Sequence, residues 1–147
     1  MIRTAAIADV DALMLIESEC FASNPWSRDS WAAEFASGRH VLAADSGEGV
    51  IGLVAVRTSG PESELLRIAV RPQHRGRGIA SSLMKAAQAN ARSVGAATMF
   101  LEVEHDNVAA LALYGDTGFR KVARRNNYYG TGRHAEIMTC DLQEASA

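Results

Sequence analysis

Cysteine is nearly missing from this chain. Only Cys20 and Cys140 occur, near opposite ends of 147 residues. Two cysteines make no disulfide framework, and both read as buried thiols in a reducing cytoplasm. No apolar run approaches the roughly 18 residues that span a membrane, so no membrane partner is expected. The opening stretch reaches Asp9 and Asp11 early, unlike a secretory signal. The 4 histidines are scattered without metal-ligand spacing, so no metal is expected. A net charge of −2 points to no direct nucleic-acid partner. Repeats, low-complexity blocks and linkers are also missing. The expectation is one domain over residues 1–142 and a loose tail over 143–147.

What is present is ordinary in amount and uneven in place. The chain is 48% hydrophobic and 22% charged, enough to bury a core without staples. Residues 1–64 hold 10 acids and 4 bases, whereas residues 65–133 hold 4 acids and 11 bases. An anionic ligand on one side and a cationic one on the other would suit this split; a mixed, solvated surface is the plainer reading.

The hydrophobic pattern predicts a strand at Ile2–Ala5 and a helix capped by Asp9 running to Cys20. After the Asn24-Pro25 break, Ser27 caps a short helix from Arg28 to about Ala36, ended by Gly38. His40–Ala44 and Val50–Arg57 form a hairpin, and Glu64–Val70 is a third run, stopped by Pro72. A helix follows from Gly78 to Val94, with Ile79, Leu83, Ala87, Ala91 and Val94 on one face and Gly95 as its stop. Thr98–Val103 is a strand and Asn107–Thr117 a helix, ended by Gly118. Arg120–Arg125 and Ala135–Asp141 are the last strands, with Asn126–Arg133 connecting them. Seven strands and four helices in this order predict an α/β domain on one central sheet.

The densest signal is VRPQHRGRGIASSLM, Val70–Met84, where a strand passes through a glycine-rich turn into a helix. The first N–H groups of a helix lack intrahelical partners, and the dipole adds about half a positive charge there. Glycine lets a ligand approach the backbone, so a diphosphate fits this junction, with Arg75 and Arg77 adding charge. The turn lacks the lysine of a P-loop, and it is not G-x-G-x-x-G. A plain glycine turn with surface arginines remains the alternative from this stretch alone.

Arg75-Gly76-Arg77-Gly78-Ile79-Ala80 fits the pattern [QR]-x-x-G-x-[GA]. With Leu66–Val70 before it and Asn107-Val108-Ala109-Ala110-Leu111-Ala112-Leu113-Tyr114 then Gly118-Phe119 after it, the chain resembles the GNAT superfamily of N-acetyltransferases. Asn24-Pro25-Trp26-Ser27, Leu101-Glu102-Val103 and Arg124–Tyr129 resemble its RimI branch, the bacterial ribosomal-protein-alanine N-acetyltransferases. Two departures stand out: Asn24, where that branch often has Phe, and Gly115 inside a helix. The resemblance covers about residues 2–142. It implies a single GNAT-like domain with a central, mixed, mostly antiparallel sheet.

It also implies a chemistry: acetyl transfer from acetyl-CoA to an amine. Such a transfer needs a deprotonated amine and benefits from a proton on the leaving thiolate. Alternation puts Glu102 on the face of Phe100, and a carboxylate on an apolar strand is desolvated, as a general base requires. The plain alternative is a strand-end acid paired with an arginine. The resemblance assigns Glu102 as general base, directly or through water, and Tyr114 as general acid. Tyr114 lies two turns from Asn107, about 10.5 Å along the helix. The family pattern further implies that the Ile68, Ala69 and Val70 backbone and Asn107 hold the pantetheine arm of coenzyme A. The N–H groups of Gly76, Arg77, Gly78, Ile79, Ala80 and Ser81 would cradle its diphosphate. Trp26, Tyr128 and Tyr129 would line the slot for the acceptor.

An α-amino group has a pKa near 7.7–8.0 against about 10.4 for lysine, so a neutral lysine costs about 3 kcal/mol more. That difference favours a protein N-terminus as acceptor, and the resemblance suggests a ribosomal protein beginning with alanine, modified in the cytoplasm. A small-molecule amine or a lysine side chain is the alternative. A non-catalytic acetyl-CoA-binding module is a third, opposed by the presence of both Glu102 and Tyr114. Glu104-His105-Asp106 contains triad residue types, but sequence neighbours point apart and no nucleophile accompanies them.

Overall fold

A computed structural model describes residues 1–21, 23–35 and 39–143. The strands are β1 (Ile2–Thr4), β2 (Arg39–Asp45), β3 (Val50–Ser59), β4 (Glu62–Val70), β5 (Thr98–Glu104), β6 (Arg120–Gly130) and β7 (Arg133–Asp141). The helices are α1 (Val10–Cys20), α2 (Arg28–Ala33), α3 (Ile79–Ser93) and α4 (Val108–Asp116), with 3-10 turns at Ile7–Asp9 and Pro72–His74. All seven strands join one sheet in the order β1-β2-β3-β4-β5-β7-β6. Every neighbouring pair is antiparallel except β4 and β5, which are parallel. Parallel neighbours need a crossover, and α3 supplies it.

Both faces of the sheet are covered, and strand alternation divides the core accordingly. Val54, Val56, Met99, Leu101 and Val103 pack with Leu83, Met84, Ala87 and Tyr114 on the side of α3 and α4. Val41, Ala43, Leu53 and Ala55 pack with Leu13, Ile16 and Trp31 on the side of α1 and α2. Adjacent residues of β2 and β3 therefore serve opposite faces, which is why both strands read as continuous apolar runs. Gly52 lets α3 sit close: a Cβ there would lie 3.1 Å from a Leu83 methyl and from the Ala69 carbonyl oxygen.

Several expectations need correction. Asp9 does not cap α1 through its side chain. Its carboxylate turns back instead, accepting from the Ala6 N–H at 2.8 Å and from Arg3 at 2.9 Å. Ser27 does cap α2, accepting from the Ser30 N–H, but the helix stops at Ala33 with Glu34 as its C-cap, short of the expected end at about Ala36; Ala36 and Gly38 lie outside the described residues. The third run begins at Glu62 rather than Glu64, because Gly60 and Pro61 alone turn the chain back. Val94 is 50% exposed, since the helix ends before its face turns inward again. Asn126–Arg133 is not a separate connection: β6 continues through Gly130 and β7 starts at Arg133. Between the pairs Arg125–Ala135 and Gly130–Arg133, Asn126–Tyr129 oppose only His134, so the strand bulges outward. Asn127 takes a left-handed φ of 57° in this bulge, with its N–H donating to His134 Nδ1 and its Oδ1 accepting from the Gly132 N–H. Of the expected tail, Gln143 donates its N–H to Asp141, and residues 144–147 lie outside the described residues.

The Arg3 guanidinium and the Ala6 N–H hold the Asp9 carboxyl down to about 2. A carboxyl lowered on folding stabilises the fold above its unfolded pKa and loses that effect as pH falls through the folded value. Asp9→Asn is therefore expected to cost about 1–2 kcal/mol at neutral pH, the lower end reflecting solvent screening of Arg3. The difference between variant and wild type should vanish between about pH 4 and pH 2 in thermal melts.

Candidate functional site

The site begins where the sheet comes apart. β4 and β5 pair only at Glu62–Thr98, Ser63–Met99 and Glu64–Phe100. Beyond these, β4 carries a bulge: Val56 opposes Leu65 and Ala55 opposes Arg67, so Leu66 is the extra residue against β3. A bulge bends its strand, and here it coincides with the divergence from β5. The opening is a cleft of about 610 Å³, with Leu65–Val70 on one wall and Glu102, Val103 and Glu104 on the other. Asn107, Leu113 and Tyr114 close it from α4.

The unpaired edge of β4 is polar. The Arg71 N–H bonds the Ile51 carbonyl of β3, and the Ala69 oxygen lies beside Gly52 of β3. By alternation, Ala69 turns its backbone groups toward β3, and Ile68 and Val70 present theirs to the cleft. The Val70 carbonyl bears this out: it accepts from Arg75 Nε at 3.0 Å and from the Cys20 thiol at 3.5 Å.

At the end of β4, Gly76 and Gly78 take φ values of 79° and 77°. The first helical bond of α3 runs from the Ser82 N–H to the Gly78 carbonyl, 3.0 Å. The N–H groups of Gly78, Ile79, Ala80 and Ser81 therefore lie ahead of any helical acceptor. They line a second hollow of about 220 Å³, which shares Val70, Arg75, Ala80 and Leu113 with the main cleft. Gly76 lines it too, and Arg77 lines neither space. A polar strand edge leading to free N–H groups suits a long ligand with peptide-like amides and an anionic end.

Glu102 shares its face of β5 with Glu104, away from the core side of Leu101 and Val103. It is less dry than an apolar strand suggests: its side chain is 24% exposed and lies 3.3 Å from Arg125. Glu104 pairs with Arg133 at 2.7 Å, which holds its carboxyl below the usual carboxylate range. Tyr114 is 8% exposed, edge-on to Phe119, and burial pushes its phenol up to about 12. Asn107 caps α4, its Oδ1 accepting from the Ala110 N–H at 3.2 Å. Tyr129 lines the cleft; burial, then the charges of Glu102 and its neighbours, raise its phenol pKa.

Trp26 and Tyr128 line neither space. Trp26 packs on Trp31 with ring centroids 4.7 Å apart, and Tyr128 packs edge-on to Tyr129 beneath the Arg125 guanidinium. Four charged residues at or beside the cleft were not anticipated: Glu17, Arg67, Glu104 and Arg133. Glu17 gave one signal, a carboxylate on the buried stripe of α1, since a buried charge requires a partner. That partner is Arg67, 3.4 Å away, and Glu17 also accepts from the Trp26 N–H at 2.9 Å. Burial raises the Glu17 pKa, while Trp26 and Arg67 oppose the rise.

Among the described residues, no helix is long and apolar enough to cross a membrane. The model of the acetyltransferase (GNAT) family matches residues 10–119. An N-alpha-acetyltransferase RimI of Mycobacterium tuberculosis is 35% identical over 146 residues, covering 95% of this chain and 90% of that protein. An uncharacterized protein of Mycobacterium leprae is 33% identical over 150 residues, but the chain spans only 41% of its length. The crystal structure of the ribosomal-protein-S18-alanine N-acetyltransferase from Escherichia coli superposes with a TM-score of 0.88 at 26% identity, over 97% of this chain and 93% of that one.

A side chain at Gly78 would force a left-handed residue, at about 1–2 kcal/mol, and would add bulk at a residue that lines the hollow. Gly78→Val should weaken coenzyme A binding at least about tenfold by calorimetry, with helix content by circular dichroism unchanged. Unaltered affinity would remove the diphosphate from this turn.

Proposed function

The chain belongs to the GNAT family of acetyltransferases, and from that membership we propose that it acetylates the N-terminal α-amino group of a protein. The acetyl donor of the family is acetyl-CoA. The acceptor in this reading is a ribosomal protein that begins with alanine, met in the cytoplasm. The observation that carries the reading is one cleft in which a carboxylate and a buried phenol accompany an open strand edge. Likeness to the Mycobacterium tuberculosis N-alpha-acetyltransferase over nearly the whole of both chains supports an α-amino acceptor, and likeness to the Escherichia coli ribosomal-protein-S18-alanine N-acetyltransferase supports a ribosomal protein.

The thioester supplies an activated acetyl group; the residues do the rest. In this reading Ile68 and Val70 offer backbone donors and acceptors to the pantetheine arm, with Ala69 and Asn107 packing beside it. Gly76, Arg77, Gly78, Ile79, Ala80 and Ser81 take the diphosphate, and Arg75 leaves the Val70 carbonyl to join them. Glu102 accepts a proton from the incoming ammonium, directly or through one water. The neutral nitrogen can then bond the acetyl carbon; as the carbon–sulfur bond breaks, the sulfur leaves with the bonding pair, and the second proton of the nitrogen passes to it to give the amide and the free thiol. Tyr114 is the hydrogen donor to the departing sulfur. An ordinary thiol has a pKa of about 8.5, roughly 3.5 below this phenol, so complete early transfer would be uphill by about 5 kcal/mol. Its larger contribution is a hydrogen bond to the charge growing on sulfur, made from a phenol that is fully protonated at neutral pH. Tyr129 walls the acceptor end with Tyr128 packed edge-on against it, and Trp26 lies behind Arg67 on Trp31.

The test is release of free coenzyme A from acetyl-CoA with peptides beginning with Ala, Ser or Met. The same peptides with a blocked N-terminus and a free lysine are the comparison. Free N-termini should react and blocked ones should not; equal rates would overturn the α-amino assignment. Glu102→Gln should lower kcat by about 100-fold or more. Tyr114→Phe should lower kcat at least about tenfold with the acetyl-CoA KM nearly unchanged. Full activity in both variants would overturn the assigned roles.

A further inference from the structure

One buried ion pair at the cleft is used by none of the chemistry above. Glu17 is fully buried on α1, and Arg67 stands on β4 at the cleft wall with its side chain 14% exposed. The Arg67 guanidinium lies 4.1 Å from the centre of the Phe21 ring and 5.0 Å from that of Trp26. It donates to the Asn24 carbonyl at 2.7 Å, and the Glu17 carboxylate takes the Trp26 N–H at 2.9 Å. Two side chains thus gather Phe21, Asn24 and Trp26, all from the connection between α1 and α2, onto β4.

That connection faces a definite half of the cleft. Ile68 and Val70 pack toward α3. Arg67 falls on the opposite face of β4, with Ala69, which packs toward α1. On β5, Leu101 and Val103 pack toward α3 and α4, so Glu102 and Glu104 alternate to the α1 side. Phe21, Asn24, Arg67, Glu102 and Glu104 therefore line one half, and the anion-binding turn belongs to the other. A donor anchored at α3 leaves the α1 half to the amine.

We propose that Arg67, held by Glu17, is a positioning residue that fixes Phe21 and Asn24 as the acceptor wall of the cleft and so sets acceptor affinity independently of the acetyl donor. The proposal rests on the reading that the acceptor enters from the α1 half. A buried pair suits the task, because loss of one partner leaves an uncompensated charge and the connection cannot stay in place unchanged. The guanidinium is needed for its shape as well as its charge: it stacks on two rings and reaches a carbonyl, which a lysine ammonium cannot do together.

The test compares Arg67→Ala, Arg67→Lys and Glu17→Gln with wild type. Hydrogen exchange at the Trp26 amide reads the pair itself. It should quicken at least about tenfold in Arg67→Ala, with exchange in β5 unchanged. Steady-state kinetics should show the acceptor-peptide KM rising at least about tenfold, the acetyl-CoA KM staying within about twofold, and a smaller acceptor effect in Arg67→Lys. If Arg67→Ala does not fold, Arg67→Lys carries the same comparison. Unchanged Trp26 exchange would overturn the role of the pair. Faster exchange with an unmoved acceptor KM, or both KM values rising together, would overturn positioning and leave a merely structural contact. If wild type ignores free α-amines, the acceptor assignment above fails by itself; Trp26 exchange still decides the pair, and the KM comparison moves to whichever amine wild type accepts.

Discussion

The parting of β4 from β5 is the constraint on which the site depends. A sheet interior ordinarily satisfies both edges of every strand, and an unpaired buried backbone group is costly. Here three residue pairs hold the two strands together, and the Leu66 bulge then turns β4 away. The parting leaves Ile68 and Val70 with backbone groups and no strand to receive them. It also admits Glu102 from one strand and Tyr114 from the helix behind into a common space. Closed sheet pairing would bury that carboxylate against a neighbour and seal off the phenol.

The same logic recurs at the end of β4, where the chain is deliberately left short of partners. Gly76 and Gly78 hold left-handed backbone that sets the start of α3, and the residues that carry its first four N–H groups line an open hollow. Arg75 and Cys20 meanwhile engage the Val70 carbonyl, so the strand edge is satisfied from within the chain. A peptide-like ligand with an anionic end can replace these contacts without leaving a new orphan. Around this opening the remaining charges are paired: Arg125 with Glu102, Arg133 with Glu104, Arg124 with Glu136. Arg125 and Arg133 thus meet carboxylates of the cleft itself, two of the 11 bases in residues 65–133.

Much of the fold was legible because its signals are local. The seven strands and four helices follow from period and punctuation: Ser27 before α2, Gly95 after α3, Asn107 before α4. Errors arose where a distant residue outbid a local rule. Asp9 reads as a cap, yet Arg3 and the Ala6 N–H take its carboxylate. Asn126–Arg133 reads as a connection, yet His134 accepts the Asn127 N–H, β6 runs on to Gly130 and β7 starts at Arg133. Among the site residues, the glycine turn and the Asn107–Tyr114 spacing are visible in sequence, since one helix or one turn presents each set. The likeness to a known family then joined those separate stretches into one expectation.

By itself, then, the order of residues determined most of the elements and the glycine turn that opens α3, because each depends on backbone geometry within a few neighbours. Only tertiary structure decided that Ala69 turns away from the cleft while Ile68 and Val70 face it. It alone paired Glu17 with Arg67, packed Trp26 behind the wall rather than in it, and placed Arg125 beside Glu102. Those outcomes depend on register between strands and on the sharing of charge across 20 to 50 positions of chain, and neither periodicity nor composition carries that information.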